Sequence, residues 1–392
     1  MSWRSQLEQL CGAQNVGDLA TGSADGAGTL PWVDVEQEEQ LCELLALARA
    51  SARRVLPAGA GEHLPAARLS AADVVVSLRR RNRIVDYQPA DLTLVAQGGV
   101  TLRQLDEAVA AENQVLAVDC ARGNEATLGG AVASNRHGLD RLRHGTWRDH
   151  VLGARVMHAD GSITRTGSRV VKSVSGYDLA KLYVGSYGST VFLLDINLRV
   201  LCAFESTGTL RASLPSASAA DALRALNADR GLQPSAILLV VQPQEKRRLD
   251  ELDVVVRFQG RSAVVAAQLQ KSQQSLGGQV LDEDAARQLA DQLRQQCEPA
   301  VDRHVMRVSS LPVEILKKAS DWLPKLDAQS GLVAHYGVGI MHLMLSADVW
   351  DHSSEESKAV SAPLSKLQRA LRTSFDPANV LLGGDDIDNT VT

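Results

Sequence analysis

The chain has 392 residues, 45% of them hydrophobic, and its 41 basic and 46 acidic side chains leave a net charge of −5. That length exceeds one ordinary core and predicts at least two domains. Charges of both signs alternate along the chain, which excludes a nucleic-acid surface, and no apolar run reaches the length of a membrane span, so membrane association is expected only through partners.

Five cysteines (Cys11, Cys42, Cys120, Cys202, Cys297) are odd in number, widely spaced and without a CxxC pair. This argues against a disulfide framework, an iron–sulfur cluster or a zinc site, and for a reducing cytosol. The N-terminus MSWRSQLEQL has Glu and Gln where a signal peptide needs an apolar core, so a cytoplasmic protein is expected.

Residues 1–30 are polar and end in GSADGAGTL, which reads as an N-terminal extension and a flexible connection. Helical spacing of Leu41, Leu44, Leu45, Leu47 and Ala48 predicts a surface helix over 36–53. A short strand then runs into a loop containing Pro57, Gly59 and Gly61. Glycines at alternate positions let successive backbone N–H groups converge on one point, which suits a diphosphate, although a plain turn is the commoner meaning of GxG. The third glycine, the following helix and the ribose-binding acid of a dinucleotide fingerprint are missing, so a nicotinamide cofactor is disfavoured. Arg79, Arg80, Arg81 and Arg83 read as a solvated turn rather than a phosphate patch.

Strands are expected at 74–78, 92–97 and 115–118, with a capped helix opening at Thr101. Residues 126–199 are crowded with glycines between short β-rich runs. Glycine beside a strand weakens it unless another backbone or a ligand must come close, so this stretch reads as chain wrapped around a large ligand. It includes a hairpin about Asp160-Gly161 and ends in a long β run over 191–201. From Phe204 glycine thins out and the order becomes strand, helix, strand, strand, helix, helix, strand. That pattern predicts an antiparallel sheet with helices on one face and a domain boundary near 203.

Five segments carry a resemblance: DYQPAD (86–91), ATLGG (126–130), RDHVLG (148–153), VKSVSGYDLAK (171–181) and VGSYG (184–188). Together they resemble the FAD-binding domain of the vanillyl-alcohol oxidase type, and within it the FAD-binding subunits of bacterial glycolate oxidases. The resemblance implies an α+β protein with a two-subdomain FAD-binding domain at 31–203, a cap domain for substrate at 204–365, and a return segment at 366–392. It implies noncovalent FAD, with Pro57, Ala58, Gly59, Ala60, Gly61, Glu62 and His63 on the pyrophosphate. Ala126, Thr127, Leu128, Gly129, Gly130 and Ser134 would run along the pyrophosphate and ribityl chain. Gly138, Arg141, Gly145 and Asp149 would wall the isoalloxazine, and Gly185, Gly188 and Ser189 would let the backbone approach it. Relatives commonly have Arg at position 58 and Thr or Ser at 62, and they continue with Thr-Leu-Gly where this chain has Ser189-Thr190-Val191.

For the chemistry, the resemblance points to His144 and to His335 and His342, whose spacing matches a metal-binding pair in catalytic relatives. The acid and amide that relatives place between that pair are Val338 and Ile340 here, so no metal is expected and an ordinary hairpin stays open. His144 could equally pack against a ring. Lys172 and Lys181, flanking Tyr177-Asp178, read either as an ion-paired turn or as tuning a flavin or docking a partner. The implied partners are a larger paralogous FAD subunit, an iron–sulfur subunit and a small 2-hydroxy acid, with peripheral attachment to the cell membrane through them. A stand-alone FAD dehydrogenase and a structural subunit without functional FAD remain alternatives.

Overall fold

A computed structural model describes residues 1–20, 28–62, 64, 66–116, 118, 125–167, 178–243, 251–297, 304–346, 348–350 and 370–382. Its frame is three sheets with their helices, an α+β arrangement.

The first sheet contains β1 (Val16–Ala20), β2 (Thr29–Asp34), β3 (Val55–Ala58) and β4 (Val74–Ser77) in the order β1-β2-β4-β3. β2, β4 and β3 are parallel, and β1 runs antiparallel to β2. Helices α1 (Trp3–Cys11), α2 (Glu38–Ala50) and α3 (Ala66–Ala71) accompany it. α2 begins where Gln37 and Gln40 form a capping box with Glu38 and Glu39 in the first turn, and its stripe Leu41, Leu44, Leu45 and Ala48 is fully buried. The expected N-terminal extension is corrected here. Ser2 caps α1, Leu7 and Cys11 are buried in the same core as the α2 stripe, and β1 is a sheet strand. The segment looked like a tail because its apolar side chains are few and widely spaced.

The second sheet is β5 (Ile84–Gln88), β6 (Thr93–Gln97), β10 (Phe192–Cys202), β8 (Val151–Met157) and β9 (Ile163–Gly167), with β7 (Gln114–Leu116) on the far end of β10. Its helices are α4 (Leu102–Ala110), α5 (Leu128–Ser134), α6 (Arg141–His144), α7 (Trp147–His150) and α8 (Ala180–Tyr183). An ion-pair group ties the first two sheets together. Glu38 meets Arg81 at 2.8 Å and also pairs with Arg155, whose Nη1 lies 3.1 Å from Asp195. Arg155 beside it holds the Glu38 carboxyl below its usual range. The basic cluster is therefore not wholly solvated: Arg81 is buried in this group, and Arg79 pairs with Asp34 at 2.5 Å while lying over the Trp32 ring.

The third sheet has seven antiparallel strands in the order β14-β11-β13-β12-β16-β17-β15. They are β11 (Ser206–Pro215), β12 (Ala236–Val241), β13 (Glu251–Gly260), β14 (Gln279–Val280), β15 (His304–Ser309), β16 (Gly331–His335) and β17 (Ile340–Leu345). α9 (Ser216–Ala228), α10 (Ser262–Leu276) and α12 (Ile315–Trp322) bury Leu223, Val265 and Trp322 against one face. α11 (Glu283–Gln296) lies on the other face, where Ala290 and Leu293 join Leu139 of the second-sheet region in a separate core. That second face belongs to the contact between domains, so its residues look like core rather than surface.

The return segment closes the first sheet. Val55 donates to Val380 at 2.8 Å and accepts from Leu382 at 2.9 Å, and the buried Asp376 carboxylate takes the N–H groups of Val380 and Leu381. No helix among the described residues is long and apolar enough to cross a membrane.

If α1 is part of the core, Leu7→Ala should destabilise the protein by about 2 to 5 kcal/mol, read as a lower urea midpoint. An unchanged midpoint would return α1 to the status of a tail.

Candidate functional site

Between the first and second sheets runs a groove enclosing about 900 Å³ of space that opens to solvent. Twelve of the residues singled out in the sequence line it: Pro57, Ala58, Gly59, Ala60, Gly61, Glu62, Ala126, Thr127, Gly129, Gly130, Ser134 and Gly188. The groove's walls approach closely at three places where an added side chain would collide. A Cβ on Gly59 would strike the Thr127 hydroxyl, one on Gly129 would come within 2.9 Å of the Gly98 carbonyl, and one on Gly188 within 2.8 Å of Pro57. Thr127 caps α5 by accepting from Gly130 N–H, and Gly129 N–H donates to Gly98 at 2.7 Å. Tyr187 and Gly188 both have positive φ; Arg68 donates to the Tyr187 carbonyl at 2.7 Å and lies over its ring.

The amide N–H groups of Ala60 and Gly61 have no hydrogen-bond partner among the described residues. Free amides beside small residues suit a diphosphate acceptor. Glu62 does face this loop, but one carboxylate oxygen accepts from Glu125 N–H at 3.3 Å, so the acid is occupied in joining the loop to the segment before α5.

Other sequence candidates lie elsewhere. Leu128 is buried in the core beneath the groove. Gly185 donates to Val132, and Ser189 donates its hydroxyl to Ser186 at 2.6 Å. Asp149 closes a capping box on Thr146 beside Gly145, whose φ of 76° a side chain would strain. His63 falls outside the described residues, as do Lys172 and Tyr177 of the lysine motif. Lys181 donates to the Val151 carbonyl at 2.8 Å and to that of Arg148, so it fastens α8 to β8. His144 does not line the groove. Its Nε2 sits 2.7 Å from Gln259 Oε1 and its ring stacks on Phe204 at 5.2 Å, because α6 packs against the third sheet.

His335 and His342 do come together. They face each other across the β16–β17 hairpin, turned by Gly337 and Gly339 in positive φ, with ring centroids 5.6 Å apart. His137, which sequence reading missed, joins them at 5.9 and 6.0 Å. Among the described residues, neither nitrogen of His335 has a hydrogen-bond partner, nor does Nδ1 of His342. Burial pushes His335 down to about 3 and also lowers His137 and His342, with Arg141 and Arg307 adding to the effect. All three are neutral bases at ordinary pH.

Around them stand cations. Arg307 pairs with His342 across β15 and β17, and Arg136, which lines the groove, acts electrostatically on His342. Burial, with Arg307 nearby, pushes Arg141 down to about 10. The surrounding protein also lowers the pKa of Arg307, although the residue keeps contact with solvent. The cluster thus lies among cations in the cleft between the 137–144 segment and the third sheet, and Arg136, one of those cations, also lines the groove. The sequence carried a signal for His137, next to Gly138 in the glycine-rich stretch, and none for Arg307, which a strand on another domain brings in.

The thiol of Cys297 and one nitrogen each of His335 and His342 lie within 4.8 Å of one another, close enough for a three-donor set. Three guanidinium groups act on these histidines and no carboxylate does. That field disfavours a dication and favours an anion.

Comparison with known proteins places these features. Residues 31–167 match the profile of the FAD binding domain family. The chain is 30% identical over 179 residues to D-2-hydroxyglutarate dehydrogenase of Xanthomonas citri pv. viticola, covering 45% of this chain and 38% of that enzyme. It is 28% identical over 328 residues to glycolate oxidase subunit GlcE of Escherichia coli, covering 79% of this chain and 86% of that subunit. Among solved structures, p-cresol methylhydroxylase with substrate bound superposes with a TM-score of 0.74 at 13% identity, over 99% of this chain and 96% of that one, which establishes the fold alone.

The buried histidines imply a pH effect. Their folded pKa values lie below the ordinary 6.5, so the unfolded chain takes up protons first. Stability is full above that value and falls as pH drops from about 6.5 towards about 3. The Tm of the wild type should therefore fall between about pH 7 and pH 5, and His335→Gln should flatten that slope. An equal slope in both proteins would contradict the assignment.

Proposed function

From the premise that residues 31–167 form an FAD-binding domain and that FAD is its cofactor, we propose that the chain is the FAD-binding subunit of a glycolate oxidase-type complex that oxidises glycolate or a related 2-hydroxy acid. The observation that carries this reading is a cluster of three neutral histidines among the cations Arg141, Arg307 and Arg136, the last of which also lines the groove. The groove fits the cofactor: its unpartnered amides at Ala60 and Gly61 suit the diphosphate, and the glycine contacts leave no side chain in its path. When bound, the flavin supplies the acceptor for the substrate hydride.

The protein's own part is to bind, orient and take a proton. Arg141 and Arg307 are the cations that would hold the substrate carboxylate, and a partly desolvated guanidinium gains from a charge-assisted contact. His335, His342 and His137 are kept neutral by burial, so one of them can accept the hydroxyl proton at a ring nitrogen. Gly138, Gly145 and Asp149 shape the chain between groove and cleft, while Gly185 and Ser189 set the turn that carries Tyr187 and Gly188. FAD is held noncovalently in this reading, and His144, engaged by Gln259, does not line the groove. Electrons would leave to an iron–sulfur subunit, because the cysteines Cys11, Cys42, Cys202 and Cys297 are dispersed. The 79% and 86% mutual coverage with GlcE supports a subunit role beside a larger paralogous flavoprotein, in the cytoplasm and at the membrane only through those partners.

Affinity purification from the native cell should yield a yellow protein whose FAD is released by heating and whose spectrum bleaches anaerobically with a 2-hydroxy acid. A second flavoprotein and an iron–sulfur chain should co-purify. A colourless preparation would overturn the cofactor, and a yellow one indifferent to every such acid would overturn the substrate class. Gly59→Val should abolish FAD retention, while Arg307→Met should keep the flavin and raise KM for the acid by about 100-fold, the loss of one charge-assisted contact worth about 3 kcal/mol. An unchanged KM in Arg307→Met would remove Arg307 from the carboxylate seat.

A further inference from the structure

Residues 137–144 leave the FAD-binding domain and plug into the third sheet. Leu139 is buried among Leu238, Val255 and Val333, and Leu142 packs on the hairpin turn, where a Cβ on Gly337 would lie 2.9 Å from it. Arg143 donates to the Gln259 carbonyl at 2.5 Å. At the centre is Asp140, only 2% exposed. One carboxylate oxygen accepts from Ser235 Oγ at 2.7 Å; the other accepts from Gln259 Nε2 at 3.2 Å and pairs with Arg257 at 3.2 Å. Gln259 extends the chain of bonds to His144.

We propose that Asp140 is a positioning residue that sets the histidine and arginine cleft against the flavin groove. The proposal rests on the reading given under Proposed function. Asp140 touches none of the groups assigned to substrate, yet it lies three residues after His137 and directly before Arg141. Its partners are Ser235, directly before β12, and Arg257 and Gln259 of β13, in the sheet that carries His335, His342 and Arg307. Fixing Asp140 therefore fixes the two halves of the cleft relative to each other. A buried carboxylate with three partners is suited to this, because any slip of the segment leaves Arg257 or Asp140 unpaired in the interior, which is strongly unfavourable. An apolar contact such as Leu139 resists separation but not sliding. Misplacement by about 1 Å of groups that orient a reacting molecule costs on the order of 100-fold in rate, so the interaction has leverage on the chemistry that its distance from it would not suggest.

The test uses the FAD-loaded protein with two readouts: the visible flavin difference spectrum on titration with oxalate, an anion that binds without reacting, and the anaerobic reduction rate with glycolate. Asp140→Ala should retain FAD but weaken oxalate binding by about 10-fold and slow reduction by about 100-fold. Gln259→Ala, at a half-buried site that tolerates truncation, should shift both in the same direction by a smaller factor. Variants that melt earlier yet bind oxalate and reduce flavin as the wild type does would overturn the proposal and leave Asp140 a plain strut. If Asp140→Ala does not fold, Gln259→Ala decides alone, and wild-type behaviour in it overturns the proposal. A wild type whose flavin responds neither to oxalate nor to glycolate would instead sink the functional reading, and this proposal with it.

Discussion

Close approach at glycine is the constraint on which the rest of this structure depends. Gly59 against the Thr127 hydroxyl and Gly188 against the Pro57 ring join the first-sheet loop to the second-sheet region, and Gly129 against the Gly98 carbonyl tightens the second-sheet side, at distances that an added side chain does not permit. These contacts leave a groove walled by main chain. Main chain is a suitable wall for an extended, doubly charged molecule, because amide groups donate hydrogen bonds without adding mobile charge. The ion-pair group of Glu38, Arg81, Arg155 and Asp195 then holds the sheets at that spacing from outside the groove.

The third sheet adds a second set of groups near the groove. Its inner face delivers His335, His342 and Arg307, and the 137–144 segment delivers His137 and Arg141 from the opposite side. Burial and like charge act together there: desolvation strips the histidines of protons and the neighbouring guanidinium groups reinforce it. The product is a set of neutral bases next to cations. An anionic substrate with a proton to lose has use for both.

Much of this was legible in the sequence, for identifiable reasons. The strand and helix order after Phe204 follows from period-2 and helical hydrophobic spacing, which local chemistry imposes. The loop at 57–62 by itself read as a turn at least as readily as a ligand loop, and only the resemblance carried by segments such as 126–130 singled both out as groove residues. What the residues could not show was pairing between distant segments. Arg307 is an ordinary strand arginine until β15 sets it opposite His342. Asp140 is an acid in a basic stretch until Arg257 and Ser235 surround it. His144 stood in a segment that faces both domains, and only the packing of α6 decides that its ring goes to Gln259. The N-terminal helix was unreadable as core because two buried side chains per helix, Leu7 and Cys11, are too few to make a pattern.

The central claim is that the glycine-built groove, and no other surface of the chain, holds FAD. Amide hydrogen exchange of the FAD-stripped protein with and without added FAD tests it directly. Protection should rise at residues 57–62, 126–134 and 185–188 and stay unchanged over the outer helices of the third sheet. Unchanged exchange at 57–62 and 126–134 in protein that has taken up the flavin would contradict the account.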